Sequence, residues 1–171
     1  VTPLMRSRAK AVNFGIIYGM GDFSLAQDLK ITRKEAAEYM EIYFDRYPRI
    51  KGYLDGTIEE VKSLGYATTI LNRRRFIPEI KSSNKIVKSL GERLAMNAPI
   101  QGSAADIIKL AMVNVYDKLK EKNLKSKMIL QVHDELIFNV KKDELEIVTK
   151  LVKEEMENVL DLRVPLEVDV N

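Results

Sequence analysis

The one histidine of the chain, His133, is followed by two adjacent carboxylates, Asp134 and Glu135. Strand-type apolar runs stand on either side, Met128-Ile-Leu before and Ile137-Phe-Asn-Val140 after. Apolar runs flanking a short polar pair read as a β-hairpin, which lifts the two carboxylates to its tip or just beside it. Two carboxylates on a tight turn suit a hard divalent cation such as Mg²⁺, which takes oxygen ligands and keeps several waters. Asp is also common in turns because its side chain bonds nearby backbone N–H groups. The turn alone therefore does not decide between a metal site and a plain turn.

A second constellation lies near the start. Arg6, Lys10, Phe14 and Tyr18 fall four residues apart, within a helix expected over residues 3–20 that Pro3 is well placed to start. Residues four apart are neighbours on one helix face, so the four make a ridge about 18 Å long at the helical rise. Two cations hold its N-terminal end and two aromatic rings its C-terminal end. Cations near a helix N-terminus oppose the macrodipole, a cost that points to use. Taken singly, Phe14 suits a core, Tyr18 a boundary and the cations solvent. Taken together, the four match a nucleoside triphosphate in length and order. Gly15, Gly19 and Gly21 punctuate the end of this helix, either clearing space for a base or serving as a C-cap.

Arg93, Asn97 and Gln101 repeat the four-residue spacing. Their side chains hydrogen-bond base edges and sugars, and donors in the minor groove can test pair shape without reading identity. A polar helix face is the equal alternative. Pro99 is expected to interrupt their alignment, because they straddle the end of a helix expected over residues 84–97. Arg73, Arg74 and Arg75 follow a strand expected over residues 66–71, and Asn72 to Arg74 read as a cationic turn before the return strand. Such a tip clamps phosphates, contacts that position a nucleic acid without reading it, or it is a solvated basic face.

The remaining elements position these groups. Thr32-Arg-Lys-Glu35 is a capping box opening a helix to about Asp45, with Ala36, Ala37, Tyr39, Met40 and Tyr43 as its buried side. A further helix spans about 49–64 and ends at Gly65. The longest helix runs from Ser103 to about Lys122, with Ile107, Leu110, Ala111, Val113, Val115 and Leu119 as its apolar stripe. Another spans about 143–159, and Val164 to Val170 alternates with period two, as a half-buried strand does.

The composition, 46% apolar and 31% charged in 171 residues, is that of a globular chain able to bury a core. No apolar run approaches a membrane span, no signal peptide opens the chain, and the absence of cysteine excludes disulfides and thiolate metal sites, which fits a cytosolic setting. The first residue is Val, as expected of a piece of something longer. Net charge is +3, but residues 1–100 carry 17 basic and 11 acidic side chains against 11 and 14 in residues 101–171. Seven basic and two acidic residues fall between Arg73 and Arg93. A basic half joined to an acidic half suggests a polyanion on one side and a cation on the other.

These residues carry a family resemblance. The helix Arg6-Ser-Arg-Ala-Lys-Ala-Val-Asn-Phe-Gly-Ile-Ile-Tyr-Gly19 resembles the nucleotide-binding motif B of the DNA polymerase I family (family A). Gln131-Val-His-Asp-Glu-Leu136 resembles its motif C. Glu92 to Asp106 is similar to the family throughout and lies between the other two in the right order, so that the resemblance covers essentially the whole chain. It implies an α+β chain with a mostly helical fingers part, residues 1–98, and the later part of a palm, residues 99–171, with a small antiparallel sheet and packed helices. It implies that Arg6 and Lys10 bind the triphosphate of a dNTP, that Phe14 packs on its sugar and discriminates against nucleotides lacking the 3′-hydroxyl, and that Tyr18 occupies the template-base position. Arg93, Asn97, Gln101, Gln131 and His133 would lie along the primer-template DNA, and Arg73, Arg74 and Arg75 on the duplex backbone. Asp134 would hold a catalytic Mg²⁺ with Glu135 beside it, and two such ions would clamp the attacking and leaving oxygens of phosphoryl transfer.

The family's other metal-binding carboxylate stands in an upstream segment of the form D-Y-S-x-I-E-x-R, which does not occur in these 171 residues, and the chain stops short of the family's usual C-terminal residues. The expectation is a fragment of a template-directed DNA polymerase, inactive alone and dependent on an upstream part of the polymerase chain, with a cytoplasmic location at the bacterial nucleoid and no membrane. The competing expectations are a nucleic-acid or nucleotide binding module without chemistry, a metal-dependent phosphohydrolase built on Asp134 and Glu135, and an RNA polymerase on the same scaffold.

Overall fold

The computed structural model describes residues 1–171, an α+β chain that divides into two compact units, Val1–Ser103 and Ala104–Asn171. In the first unit, helix α1 (Pro3–Ile17) begins with Thr2 as N-cap, its hydroxyl accepting from the Met5 N–H at 3.2 Å. It ends three residues before the expected limit. Gly19 is left-handed (φ 72°), and the N–H groups of Gly19 and Met20 turn back to the carbonyls of Ile16 and Gly15, the glycine-stopped end that closes many helices.

Helix α2 (Asp22–Leu29) has no counterpart in the sequence reading. It buries Leu25, Ala26 and Leu29 with Ala36 of helix α3 (Arg33–Arg46), and Ala11, Val12, Met20, Ile31 and Met40 pack around them. The capping box of α3 is present: the Glu35 N–H donates to the Thr32 hydroxyl at 3.2 Å, and the Thr32 N–H donates to the Glu35 carboxylate at 2.8 Å. Its buried side is narrower than expected. Ala36 is enclosed, Met40 and Tyr43 are half-buried, and Ala37 and Tyr39 are exposed.

Helix α4 (Pro48–Leu64) closes at left-handed Gly65. A two-stranded antiparallel hairpin follows, β1 (Tyr66–Thr68) and β2 (Arg74–Phe76), then a 3-10 turn over Pro78–Lys81. Val61, Ala67, Ile77 and Ile80 form a second core with Ala95 and Ala98 of helix α5 (Lys85–Glu121).

Pro99 does not break α5, contrary to expectation; 37 residues run as one helix. Proline removes one ladder N–H and costs about 3 kcal/mol inside a helix. Here Ala95 and Ala98 before it, and Asp106 and Ala111 after it, are all buried, so tertiary packing holds both sides in helical register. The Ser103 hydroxyl donates to the Pro99 carbonyl and accepts from the Ile70 N–H at 2.9 Å. Farther back, Gly91 lets α5 approach the 3-10 turn. A Cβ there would sit 2.5 Å from Ile80 N and 2.7 Å from Ile80 Cα. Backbone cannot step aside as a flexible side chain does, so Gly91→Ala is expected to destabilise the chain by about 1–3 kcal/mol, the cost of overpacking. Urea unfolding measures it, and an unchanged midpoint would show that the two elements are not this close.

In the second unit, Val115 and Leu119 of α5 pack with Val148, Leu151 and Val152 of helix α6 (Leu145–Glu157), and Phe138 and Val140 close over them. Val113 and Leu145 are exposed rather than core. Strands β3 (Lys127–Val132) and β4 (Glu135–Asn139) form the expected antiparallel hairpin. The pairing shifts by one between Met128 and Leu130, a bulge at Ile129, so Leu130 and Val132 share a face with Ile137 and Glu135. That face is exposed at Leu130, Val132 and Ile137. Val164 to Val170 is not a strand. A strand needs a ladder partner, and the sheet of this unit contains β3 and β4 alone; the segment is tied instead by the Val168 N–H to the Glu157 carboxylate at 3.0 Å. No helix is long and apolar enough to cross a membrane.

Glu144 fixes the entry to β3. Its carboxylate accepts from the Ser126 hydroxyl at 2.6 Å, the Ser126 N–H at 2.8 Å and the Lys125 N–H at 3.0 Å. The Ser126 hydroxyl first, then the backbone donors, hold this carboxyl below the ordinary glutamate value of 4.5. Between the lowered and the ordinary value the unfolded chain binds the extra proton, so stability rises with pH there. The contribution is complete above about pH 4.5 and is lost as pH falls through the lowered value. Melting curves of the chain and of Glu144→Gln should converge in acid and separate toward neutral pH. Parallel curves over that range would remove Glu144 from this role.

Candidate nucleotide and nucleic-acid interface

Helix α1 turns Ala11, Val12, Gly15 and Ile16 toward its own unit and Arg6, Lys10 and Phe14 toward solvent, with Tyr18 half-buried at the end. The sequence ridge is a physical one. Lys10 Nζ lies 5.8 Å from the centroid of Phe14, and Phe14 stacks on Tyr18 at 6.0 Å with the ring planes 24° apart. Phe14 is 48% exposed. An exposed cation–π contact contributes about 0.5–1 kcal/mol, little reason to keep a phenylalanine in water. The ridge offers positive charge at one end and stacked rings at the other, the two surfaces that a phosphate chain and a base require.

Gly19 carries this ridge to the next cluster. A Cβ there would lie 2.1 Å from Met96 Cε and 3.2 Å from Arg93 Cγ, so the backbone after Tyr18 rests directly on α5. Because α5 is unbroken, Arg93, Asn97 and Gln101 align on one face over about 12 Å. Arg93 and Gln101 are exposed, and Asn97 is half-buried. The Oδ1 of Asn97 is buried and has no hydrogen-bond partner. Such an orphan acceptor costs about 1–3 kcal/mol, which a donor from a ligand would recover. The first unit thus joins the α1 ridge and the α5 ridge through one glycine contact, a link that no spacing in the sequence announces.

The arginine cluster differs from expectation. The turn is set by Thr69, whose N–H donates to the Arg73 carbonyl, and by Asn72, left-handed at φ 61°. The exposed tip is therefore Ile70 and Leu71, not the arginines. Arg74 and Arg75 belong to β2, and the Arg74 guanidinium lies 4.8 Å over the ring of Tyr66. Arg74 and Arg75 line the return strand and Arg73 leads into it, rather than crowning the turn, because the left-handed position falls on Asn72, one of the residues that tolerates it.

In the second unit, His133 and Asp134 form a two-residue turn between Val132 and Glu135, which face each other in register. His133 is left-handed at φ 54°, and the Gln131 side-chain amide donates to its carbonyl. Gln131 therefore braces the turn that presents the carboxylates. Asp134 and Glu135 are exposed. No group of three or more His, Asp or Glu side chains able to hold a metal ion is present. The donor set fits Mg²⁺ in the limited sense that this ion is commonly held by one or two carboxylates, with waters and substrate phosphates completing the octahedron.

The family model DNA polymerase family A matches residues 1–171. The chain is 59% identical over 170 residues to DNA polymerase I of Caldicellulosiruptor bescii, covering 99% of this chain and 20% of that protein. It is 55% identical over 169 residues to DNA polymerase I of Bacillus subtilis, covering 99% and 19%. Among solved structures it is similar to the POL domain of Pol1 from M. smegmatis in complex with DNA primer-template and dNTP, with a TM-score of 0.94 and 49% identity over 98% of this chain and 30% of that one. The chain spans about a fifth of the length of the curated relatives it matches.

Proposed function

The chain belongs to DNA polymerase family A, and on that premise we propose that it supplies the nucleotide-binding surface and one catalytic carboxylate of a template-directed DNA polymerase. The observation that carries this reading is the continuous Lys10–Phe14–Tyr18 ridge, joined at Gly19 to the α5 residue Arg93. Arg6 and Lys10 bind the triphosphate of the incoming dNTP, and Phe14 packs on its sugar. Tyr18 holds the template-base position until the helix closes. Arg93, Asn97 and Gln101 follow the minor groove of the primer-template, with Gln131 and His133 near the primer end. Arg73, Arg74 and Arg75 hold duplex phosphates. Residues 1–98 act as fingers and residues 99–171 as the later palm, in a protein working at the bacterial nucleoid.

The reaction is attack of the primer 3′-hydroxyl on the α-phosphate with departure of pyrophosphate. Asp134, with Glu135 beside it, would hold Mg²⁺, which when bound neutralises charge on the phosphates and on the attacking oxygen. The protein's own share is positioning and electrostatic stabilisation. Lys10 opposes charge that develops toward the leaving pyrophosphate, and the ring of Phe14 fixes the sugar so that the α-phosphate meets the hydroxyl in line.

A metal pair needs a second carboxylate segment, and none of the family's form occurs in these residues. The 171 residues by themselves therefore bind nucleotide and DNA without extending a primer, which is the binding-module reading confined to this part of the chain. Primer extension with Mg²⁺ and four dNTPs tests both statements. The 171 residues alone should leave the primer unextended, while a chain completed upstream with a D-Y-S-x-I-E-x-R segment should extend it. Extension by the 171 residues alone would refute the missing-carboxylate argument.

A further inference from the structure

The back of α1 carries a second feature that the ridge does not use. A cavity of about 280 Å³ lies between α1 and α3, lined by Arg8, Val12 and Asn13 on one side and by Tyr39, Tyr43 and Tyr47 on the other. Its volume sits just below the range of about 300–1,000 Å³ usual for small-molecule pockets. The tyrosines stand four residues apart, and Tyr39 and Tyr47 are about half exposed. Burial pushes the Tyr43 phenol above its ordinary value, so this ring brings no negative charge to the groove. The lining contains a cation and no carboxylate. A larger cavity, lined in part by Glu41, Asp45 and Asp55 against Lys51, has the charge that would repel a polyanion.

We propose that this tyrosine groove binds a short unpaired stretch of single-stranded DNA, one base stacked on the exposed Tyr39 ring, another on the exposed Tyr47 ring, and a phosphate on Arg8. Aromatic faces stack with bases of any sequence, and a neighbouring cation follows the backbone. Tyrosines four apart on a helix rise about 6 Å from one to the next. That is nearly twice the roughly 3.4 Å rise of stacked duplex bases, so the groove suits splayed bases and not a duplex. Tyr43 and Tyr47 already touch, centroids 5.1 Å apart, so a base lies along the groove and does not intercalate between them. Asn13 donates its amide to the Ala9 carbonyl at 2.9 Å, which leaves its oxygen to accept from a base. The inference rests on the polymerase reading, under which the unpaired strand is template.

The test uses the 171-residue chain and a fluorescent oligo-dT carrying one 5-iododeoxyuridine. Photocrosslinks should map to Tyr39, Tyr43 or Tyr47. Tyr39→Ala with Tyr47→Ala should weaken binding about tenfold, as expected for a lost stacking contact. Tyr39→Phe with Tyr47→Phe should retain it, which separates lost stacking from misfolding. Arg8→Ala should reduce the salt-dependence slope by about one. Crosslinks confined to other surfaces, with affinity unchanged in all three variants, would overturn the groove while leaving the polymerase reading standing. Failure of the unaltered chain to bind either the oligonucleotide or a primer-template would overturn both.

Discussion

Asp134→Ala, in a chain completed upstream, is expected to lower the rate of nucleotide incorporation about a thousandfold or more. The magnitude follows from the proposed role: a carboxylate holding a metal would be removed, and such a metal contributes several kcal/mol of charge stabilisation in phosphoryl transfer, at a factor of about ten per 1.36 kcal/mol. The fold gives no other route to such a loss. Asp134 is exposed at the turn, while the turn itself is held by the Val132–Glu135 pairing and by the Gln131 amide on the His133 carbonyl. Melting temperature should therefore stay within a degree or two, since surface substitutions away from such features usually cost under about 0.5 kcal/mol. Asp134→Asn, which keeps the shape and removes the charge, should be nearly as inactive. Rapid-quench incorporation at saturating dNTP reads the effect. Turnover surviving either substitution would take Asp134 out of the metal site.

The second large effect is expected at Lys10. Lys10→Ala should reduce kcat/KM for dNTP about a hundredfold or more, the range seen when one preorganised donor to developing charge is removed. The side chain is exposed and its contact within the unit is the Phe14 ring at 5.8 Å, so the substitution takes nothing from the core beneath α1. Lys10→Arg keeps the charge but replaces a compact ammonium by a planar fork, and recovery should be partial. Single-turnover incorporation over a range of dNTP concentrations separates weaker binding from slower chemistry. Equal kinetics with and without the Lys10→Ala substitution would mean that the triphosphate does not lie along this ridge.

The ridge was legible in the sequence because helix geometry alone decides it. Once residues 3–17 are helical, Arg6, Lys10, Phe14 and Tyr18 must be neighbours, and the stack at 6.0 Å follows. The hairpin at His133 was legible for a similar reason, since its apolar runs have the length and period of paired strands. What was hidden depends on partners far away in sequence. Pro99 reads as a breaker locally, and only the burial of Ala95 and Ala98 against Ile77 and Ile80 explains why α5 passes through it. Val164 to Val170 alternates like a strand but has no neighbouring strand to pair with in its unit. The arginine turn moved because one left-handed residue, Asn72, fixed the reversal earlier than charge patterning suggested. Tyr39 looked like core by periodicity, yet its ring opens onto a groove. The contact at Gly19 that brings the α1 ridge onto α5 is visible only in three dimensions.

The most direct measurement is single-nucleotide incorporation opposite a defined template base, using the chain completed upstream, Mg²⁺ and one dNTP at a time. Fast addition of the matching dNTP to the primer 3′ end, slow addition of the other three, and release of pyrophosphate are the predicted result. Addition that ignores the template base, or Mg²⁺-dependent release of phosphate from a simple ester with no primer extended, would contradict it.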